Sequence, residues 1–221
     1  MTTTVVQPTP GSDPIEGGAH TSLVAVNTAS IADPGPLGLG AFAMTTFVLS
    51  VFNAGLISGA GLDGVVLPLA LFYGGTAQLL AGMWEFKKAN TFGALAFTSF
   101  GAFWLAFAAY AKYIAPAIAA GPNASQLGHV TGVFLLAWAI FTVYMTVASL
   151  RVSGAVAAVF VALSITFILL TIGAFSGHAD ISKAGGYVGL VTAALAWYGS
   201  FAGVTNSTFR KTVLPVFPLA R

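Results

Sequence analysis

Six long stretches that carry almost no charge constrain this chain more than any other feature. They cover residues 37–57, 64–83, 91–114, 128–150, 152–174 and 185–206. A helix rises about 1.5 Å per residue, so about twenty apolar residues cross a hydrocarbon layer of about 30 Å. In lipid no water satisfies backbone N–H and C=O groups, which leaves only helices and closed barrels as spanning structures. Barrel strands alternate apolar and polar residues over about ten positions; these stretches are longer and continuous. The chain therefore reads as an all-α integral membrane protein with six transmembrane helices, solvated by the lipid bilayer. Composition agrees. Charged residues make up 6% of the 221 and hydrophobic residues 57%, where a soluble domain carries charge on about a quarter of its positions.

The flanking segments divide the chain into three. Residues 1–31 are rich in Thr, Pro, Gly, Ser and Ala and contain neither Lys nor Arg. They lack the basic start and apolar core of a secretory leader and read as a disordered N-terminal tail. Residues 32–206 hold the spans, and residues 207–221 form a second tail in which Pro215 and Pro218 oppose a continuing helix. Lys87, Lys88, Arg151, Arg210, Lys211 and Arg221 fall on one side of the six-span topology, and only Lys112 and Lys183 on the other. Positive-inside bias then predicts a multi-pass protein of the cell membrane with both termini in the cytoplasm.

The six acids are Asp13, Glu16, Asp33, Asp63, Glu85 and Asp180, each assigned to a tail, a loop or a span end. No charge is expected within a span interior, where pumps and voltage sensors carry theirs. His20, His129 and His178 lie in the tail or near span ends, and cysteine is absent. With no cluster of metal ligands and no nucleophile beside a base, the sequence points away from an enzyme, a metal site or any cofactor. No basic cluster indicates nucleic acid.

What remains inside the spans is hydroxyl, amide, glycine and aromatic. Asn53 and Gln78 stand out, because a buried amide has several groups to satisfy and favours a partner helix or a wet path. Thr45, Thr46 and Ser50 read either as helix-backbone bonding and helix glue or as a polar pore wall. Gly55 with Gly59, Gly185 with Gly189 and Gly199 with Gly203 permit close helix approach, within one bundle or between copies. These residues leave open a carboxylate permease, a channel for small neutral solutes such as urea, short amides or water, and a non-transport scaffold or sensor.

Several motifs narrow the choice. Asp33-Pro34-Gly35-Pro36-Leu37-Gly38-Leu39 resembles the Asn-Pro-Ala-Pro-Leu-Gly-Leu signature of the acetate uptake transporter family, which includes the succinate–acetate permeases. Gly40–Thr46, Asn53-Ala54-Gly55, Phe72–Gln78, Ala81–Phe86, Asn90–Gly93, Ala96–Trp104, Gly185-Gly186-Tyr187 and Arg210–Pro215 continue the likeness across nearly all of residues 32–218. The resemblance implies six-helix protomers in a ring-shaped homohexamer, each with its own pore for acetate, a small monocarboxylate, and in some members succinate. It implies a hydrophobic constriction at Phe42, Phe100 and Leu163. It also implies a polar lining at Thr45, Thr46, Ser50 and Gln78, and a position at Ala196 whose bulk affects substrate choice. Three departures accompany it: Asp33 for Asn, Ser50 where many members have Asn, and Phe100 for a common Tyr. Physically, Pro36 suits the first turn of a helix and Asp33 can cap its free amides. A helix N-terminus can receive an anion without a lysine or arginine.

Overall fold

A computed structural model describes residues 31–219 of the chain; the N-terminal stretch expected to be disordered lies outside the described residues, except for Ile31. Six long helices follow one another: α1 (Gly35–Asn53), α2 (Leu62–Lys87), α3 (Thr91–Ala120), α4 (Ala124–Ser149), α5 (Gly154–Ser176) and α6 (Ala179–Phe209). Their direction alternates. α1 packs on α2 and α6, α2 on α3, α4 on α5 and α5 on α6, with a thinner contact between α3 and α4. The helices thus surround a common interior in chain order, with α6 returning to α1.

Local chemistry sets the ends. Pro36 lies in the first turn of α1, and the Asp33 carboxylate accepts the Gly35 N–H at 2.9 Å. α1 stops at Asn53, and Gly55 turns the chain at φ +72°, a conformation that favours glycine. Gly55 and Gly59 therefore belong to a loop and not to a helix contact. Asn90 caps α3 by accepting the Gly93 N–H at 3.2 Å, and Ser153 caps α5 through Val156 N–H at 3.2 Å. Gly177, at φ +70°, ends α5.

Three helices run further than their apolar stretches. α2 continues to Lys87, α3 passes Pro116 to reach Ala120, and α6 extends to Phe209. The proline is accommodated by a wide π-turn at Tyr110–Ile114 immediately before it. A second π-turn, Phe72–Ala77, interrupts α2 and contains Gly74 and Gly75. This changes which residues of the following turns face the interior.

The longer helices correct one expectation. Glu85 is within α2 and only 1% exposed, and Lys112 is within α3. The bundle therefore does contain a buried carboxyl group.

Close backbone approach is needed where helices touch. A Cβ on Gly82 would strike the Thr98 backbone of α3, and one on Gly186 would strike Asn53, the last residue of α1, and Ala54 just after it. Gly185, Gly189, Gly199 and Gly203 meet Leu170, Ser50, Leu39 and Pro36, so all four serve packing within one protomer. The outer surface exposes Phe72, Val133, Ile140, Val147 and Phe201, as expected of helices facing lipid or another membrane protein. The segment after α6 is tied down: Asn206 accepts from the Val213 and Leu214 N–H groups and donates to Leu214 C=O. Phe217 C=O then accepts the Gly154 N–H at 2.7 Å.

Candidate functional site

Two cavities enter the bundle from opposite ends. The near cavity, about 170 Å³, reaches the face that carries Lys88, Asn90 and Val152 and continues inward past Gln78 to Phe42, Phe100 and Leu163. The far cavity, about 510 Å³, has Asp63, Leu127 and Ser182 at its outer end and reaches inward to Thr46, Trp104, Phe42 and Leu163. Phe42 and Leu163 line both. They come from α1 and α5, and each is 4% exposed.

Phe100, on α3, completes the closure from the near side. Its ring meets Phe42 edge-on at 5.6 Å, and it also contacts Phe141 at 5.3 Å and Phe160 at 6.1 Å. Edge-to-face contacts of this kind fix ring orientation beyond what burial alone does. The two cavities are therefore separated by an apolar ring, with no polar side chain of its own.

Polar groups sit on either side of the ring. Gln78 lines the near cavity at 1% exposure, and its Oε1 has no hydrogen-bond partner among the described residues. Thr46 and Trp104 line the far cavity, and Thr46 Oγ1 and Trp104 Nε1 are likewise unpartnered. Buried polar atoms are nearly always satisfied, so unpaired ones beside a cavity mark where water or a solute can bond. Ser50 and Asn53 also line the far cavity. So do Tyr110 and Thr131, which hydrogen-bond to each other, and Tyr110 stacks on Phe134.

Two candidate residues lie elsewhere. Thr45 is fully buried, donates to Ala41 C=O at 3.0 Å and faces Gly74, outside the lining of both cavities. Ala196 is fully buried in the apolar core, also away from both linings.

The signature heptad builds the near mouth. Gly35 and Leu39 line the near cavity, and Gly38 gives room to the Phe97 ring. Pro36 C=O accepts from Ser200 Oγ at 2.6 Å, joining α1 to α6. Asp33 pairs with Lys88 at 2.8 Å, so the negative charge it adds at the mouth faces a cation. The Gly35 amide that could have received an anion is already occupied by Asp33.

Sequence reasoning passed over Glu85, Lys88, Asn90 and Trp104 as cavity residues. The first three form one cluster at the near mouth, where Asn90 Nδ2 donates to Glu85 Oε2 at 2.9 Å. The one available signal was an acid set in an apolar helix that runs on past it.

Six apolar helices around cavities that meet at a closed ring define a multi-pass membrane protein of the channel or carrier type. Its kinship is direct: the chain belongs to the GPR1/FUN34/yaaH family, whose profile matches residues 16–221. It is 40% identical over 191 residues to the succinate-acetate/proton symporter SatP of Escherichia coli K12, covering 86% of this chain and 98% of that protein. It is also 40% identical over 205 residues to ammonia transport outward protein 2 of Saccharomyces cerevisiae, covering 92% of this chain and 72% of that one. A solved structure, that of the bacterial acetate channel SatP, matches with a TM-score of 0.77 at 40% identity, covering 85% of this chain and 99% of its own.

Proposed function

We propose that the protein carries acetate and related small carboxylates, succinate among them, across the cell membrane through a pore in each protomer. The observation that carries this reading is the pair of cavities that approach from opposite faces and share Phe42 and Leu163. Phe42, Phe100 and Leu163 are then the constriction, which closes the path by size and by dewetting. Gln78 on one side and Thr46, Ser50 and Asn53 on the other offer hydrogen bonds to a small polar solute. A 150 Å³ cavity is enough to hold benzene, so the near cavity of about 170 Å³ has room for acetate. The relatives named as a symporter and an acetate channel support the same substrate class. Residues 32–206 form the pore domain. Residues 207–221, the N-terminal tail, the Lys87–Lys88 turn and Arg151 face the cytoplasm, which makes the near cavity the inner one. Thr45 and Ala196 act through packing behind the wall. Protomers assemble as a ring-shaped homohexamer, and a mass of the monomer alone in mild detergent would contradict this. The protein works as a passage and not as an enzyme.

A second reading has its own support. An apolar constriction without charge of its own suits small neutral solutes, and one relative is named for outward ammonia transport. Stopped-flow measurements on liposomes separate the two. The carboxylate reading expects protein-dependent permeation by acetate above that of ammonia and urea. The reverse order, with acetate at the rate of protein-free liposomes, would replace it.

A further inference from the structure

We propose that Glu85 hands a proton to the transported carboxylate in the near cavity, so that the substrate crosses the apolar ring as its neutral acid. The proposal rests on the carboxylate-pore reading above and on the relative named as a proton symporter; what it adds is the residue that moves the proton.

Glu85 lies one step inside the mouth. Its side chain is 1% exposed and lines the same cavity as Gln78, with Phe42, Phe100 and Leu163 at the inner end. Oε2 accepts from Asn90 Nδ2 at 2.9 Å. Oε1 lies beside Gly35, another lining residue. Glu85 forms no ion pair among the described residues. The charged groups that face it are Lys88, from its own helix, and Asp33, from the start of α1, and these two engage each other at 2.8 Å. Asn90, from the start of α3, is neutral, and α5 presents Val156, Val159 and Phe160.

A carboxyl group has one property that no other buried side chain at this cavity offers; Asp33, the second carboxyl, is half exposed and paired with Lys88. Protonated, it donates a hydrogen bond; ionised, it only accepts. A buried group of this kind changes charge only together with a ligand or a proton, because an uncompensated charge there is costly.

The step balances. A carboxylate entering the near cavity meets Glu85 in its acid form. The Glu85 O–H bond breaks, an O–H bond forms on the substrate, and Glu85 is left as a carboxylate. The neutral acid then passes a ring that has nothing to replace an ion's water shell. In the far cavity it releases the proton to water, and Glu85 is reprotonated from water at the mouth by Asp33 and Lys88. One carboxylate and one proton move together, with no net charge. All steps run equally in reverse.

The competing account is that Glu85 only orients Asn90, the cap of α3. Glu85→Gln separates the two, since glutamine keeps an acceptor for Asn90 Nδ2 but carries no transferable proton. Initial uptake of labelled acetate is measured in liposomes holding the full chain inserted with the near cavity outward, with protein-free liposomes subtracted, under imposed proton gradients and under imposed membrane potentials. Wild-type uptake should rise by up to about tenfold per pH unit of inward proton gradient, the limit for one proton per carboxylate, and should ignore the membrane potential. Glu85→Gln should lose that rise and show a flat residual rate. Glu85→Asp, which keeps a carboxyl group and also serves if the glutamine variant does not fold, should retain it. A glutamine variant with the wild-type slope, an aspartate variant with none, or wild-type uptake that follows the membrane potential and not the proton gradient would overturn the proposal while leaving the pore reading intact. Absence of any protein-dependent acetate uptake would instead overturn the pore reading, and the proposal with it.

Discussion

Leu163→Ala tests whether the apolar ring sets selectivity. Leu163 is 4% exposed and touches both cavities, so its truncation opens one hollow into the other. In sealed cores Leu→Ala costs about 2–5 kcal/mol and rises with the empty volume left behind. Here the vacated space adjoins cavities of about 170 and 510 Å³, so the loss should fall at the lower end, about 2–3 kcal/mol. A folded protein should survive. Selectivity should change more. One methylene of fit in an apolar site is worth about 1–3 kcal/mol, or about 10–200-fold. Removing a whole isopropyl group should therefore raise lactate flux relative to acetate by about tenfold or more. The assay is uptake of labelled lactate and acetate by the same liposomes, with a single symmetric elution peak as the check on folding. Phe42→Ala should act in the same direction. Phe100→Tyr should be mild, since it restores the residue common at this position in the family that the chain resembles. Folded Leu163→Ala and Phe42→Ala variants with the wild-type lactate-to-acetate ratio would show that these side chains are packing alone.

Three further outcomes follow from the same geometry. Gln78→Leu removes a buried amide oxygen that has no partner; an unsatisfied buried group costs about 1–3 kcal/mol, so the melting temperature should hold or rise while acetate flux falls, and a loss of both would make Gln78 a structural residue. Asn206→Ala deletes three hydrogen bonds that dock the segment after α6, each worth about 0.5–1.5 kcal/mol; limited proteolysis should cut near residues 211–219 faster while the six helices remain protected. Cysteines placed at Lys88 and Asn123 of this cysteine-free chain should label from opposite sides of the membrane, Lys88 from the cytoplasm; labelling of both from outside intact cells would refute the orientation.

The six helices were legible because lipid imposes a simple rule on sequence: long and free of charge. The rule locates helix centres well and helix ends poorly. Lys87, Ala120 and Phe209 lie beyond the apolar stretches because a helix keeps forming backbone bonds after it leaves the hydrocarbon. The π-turns at Phe72–Ala77 and Tyr110–Ile114 were not legible, since they depend on how a neighbouring helix receives the chain. Phe42, Phe100 and Leu163 could be named together only through a resemblance; their spacing in sequence gives no hint that they meet. The faces of single residues were harder still. Thr45 and Thr46 are adjacent, yet one turns to its own backbone against Gly74 and the other to the far cavity. Glu85 falls just past the apolar stretch at 64–83, and its burial depends on Gly93 of α3 leaving it room. The Asp33–Lys88 pair joins residues 55 positions apart, a separation over which one sequence carries no pairing signal.

The central claim is that a small carboxylate passes through this protein, and acetate counterflow tests it most directly. Liposomes containing purified protein are loaded with unlabelled acetate and diluted into a trace of labelled acetate, with protein-free liposomes as the reference for leak through lipid. The account predicts protein-dependent uptake of label above that reference, stimulated by the acetate inside and reduced when succinate is added outside. Uptake no greater than in protein-free liposomes, from protein that elutes as a folded oligomer, would contradict it.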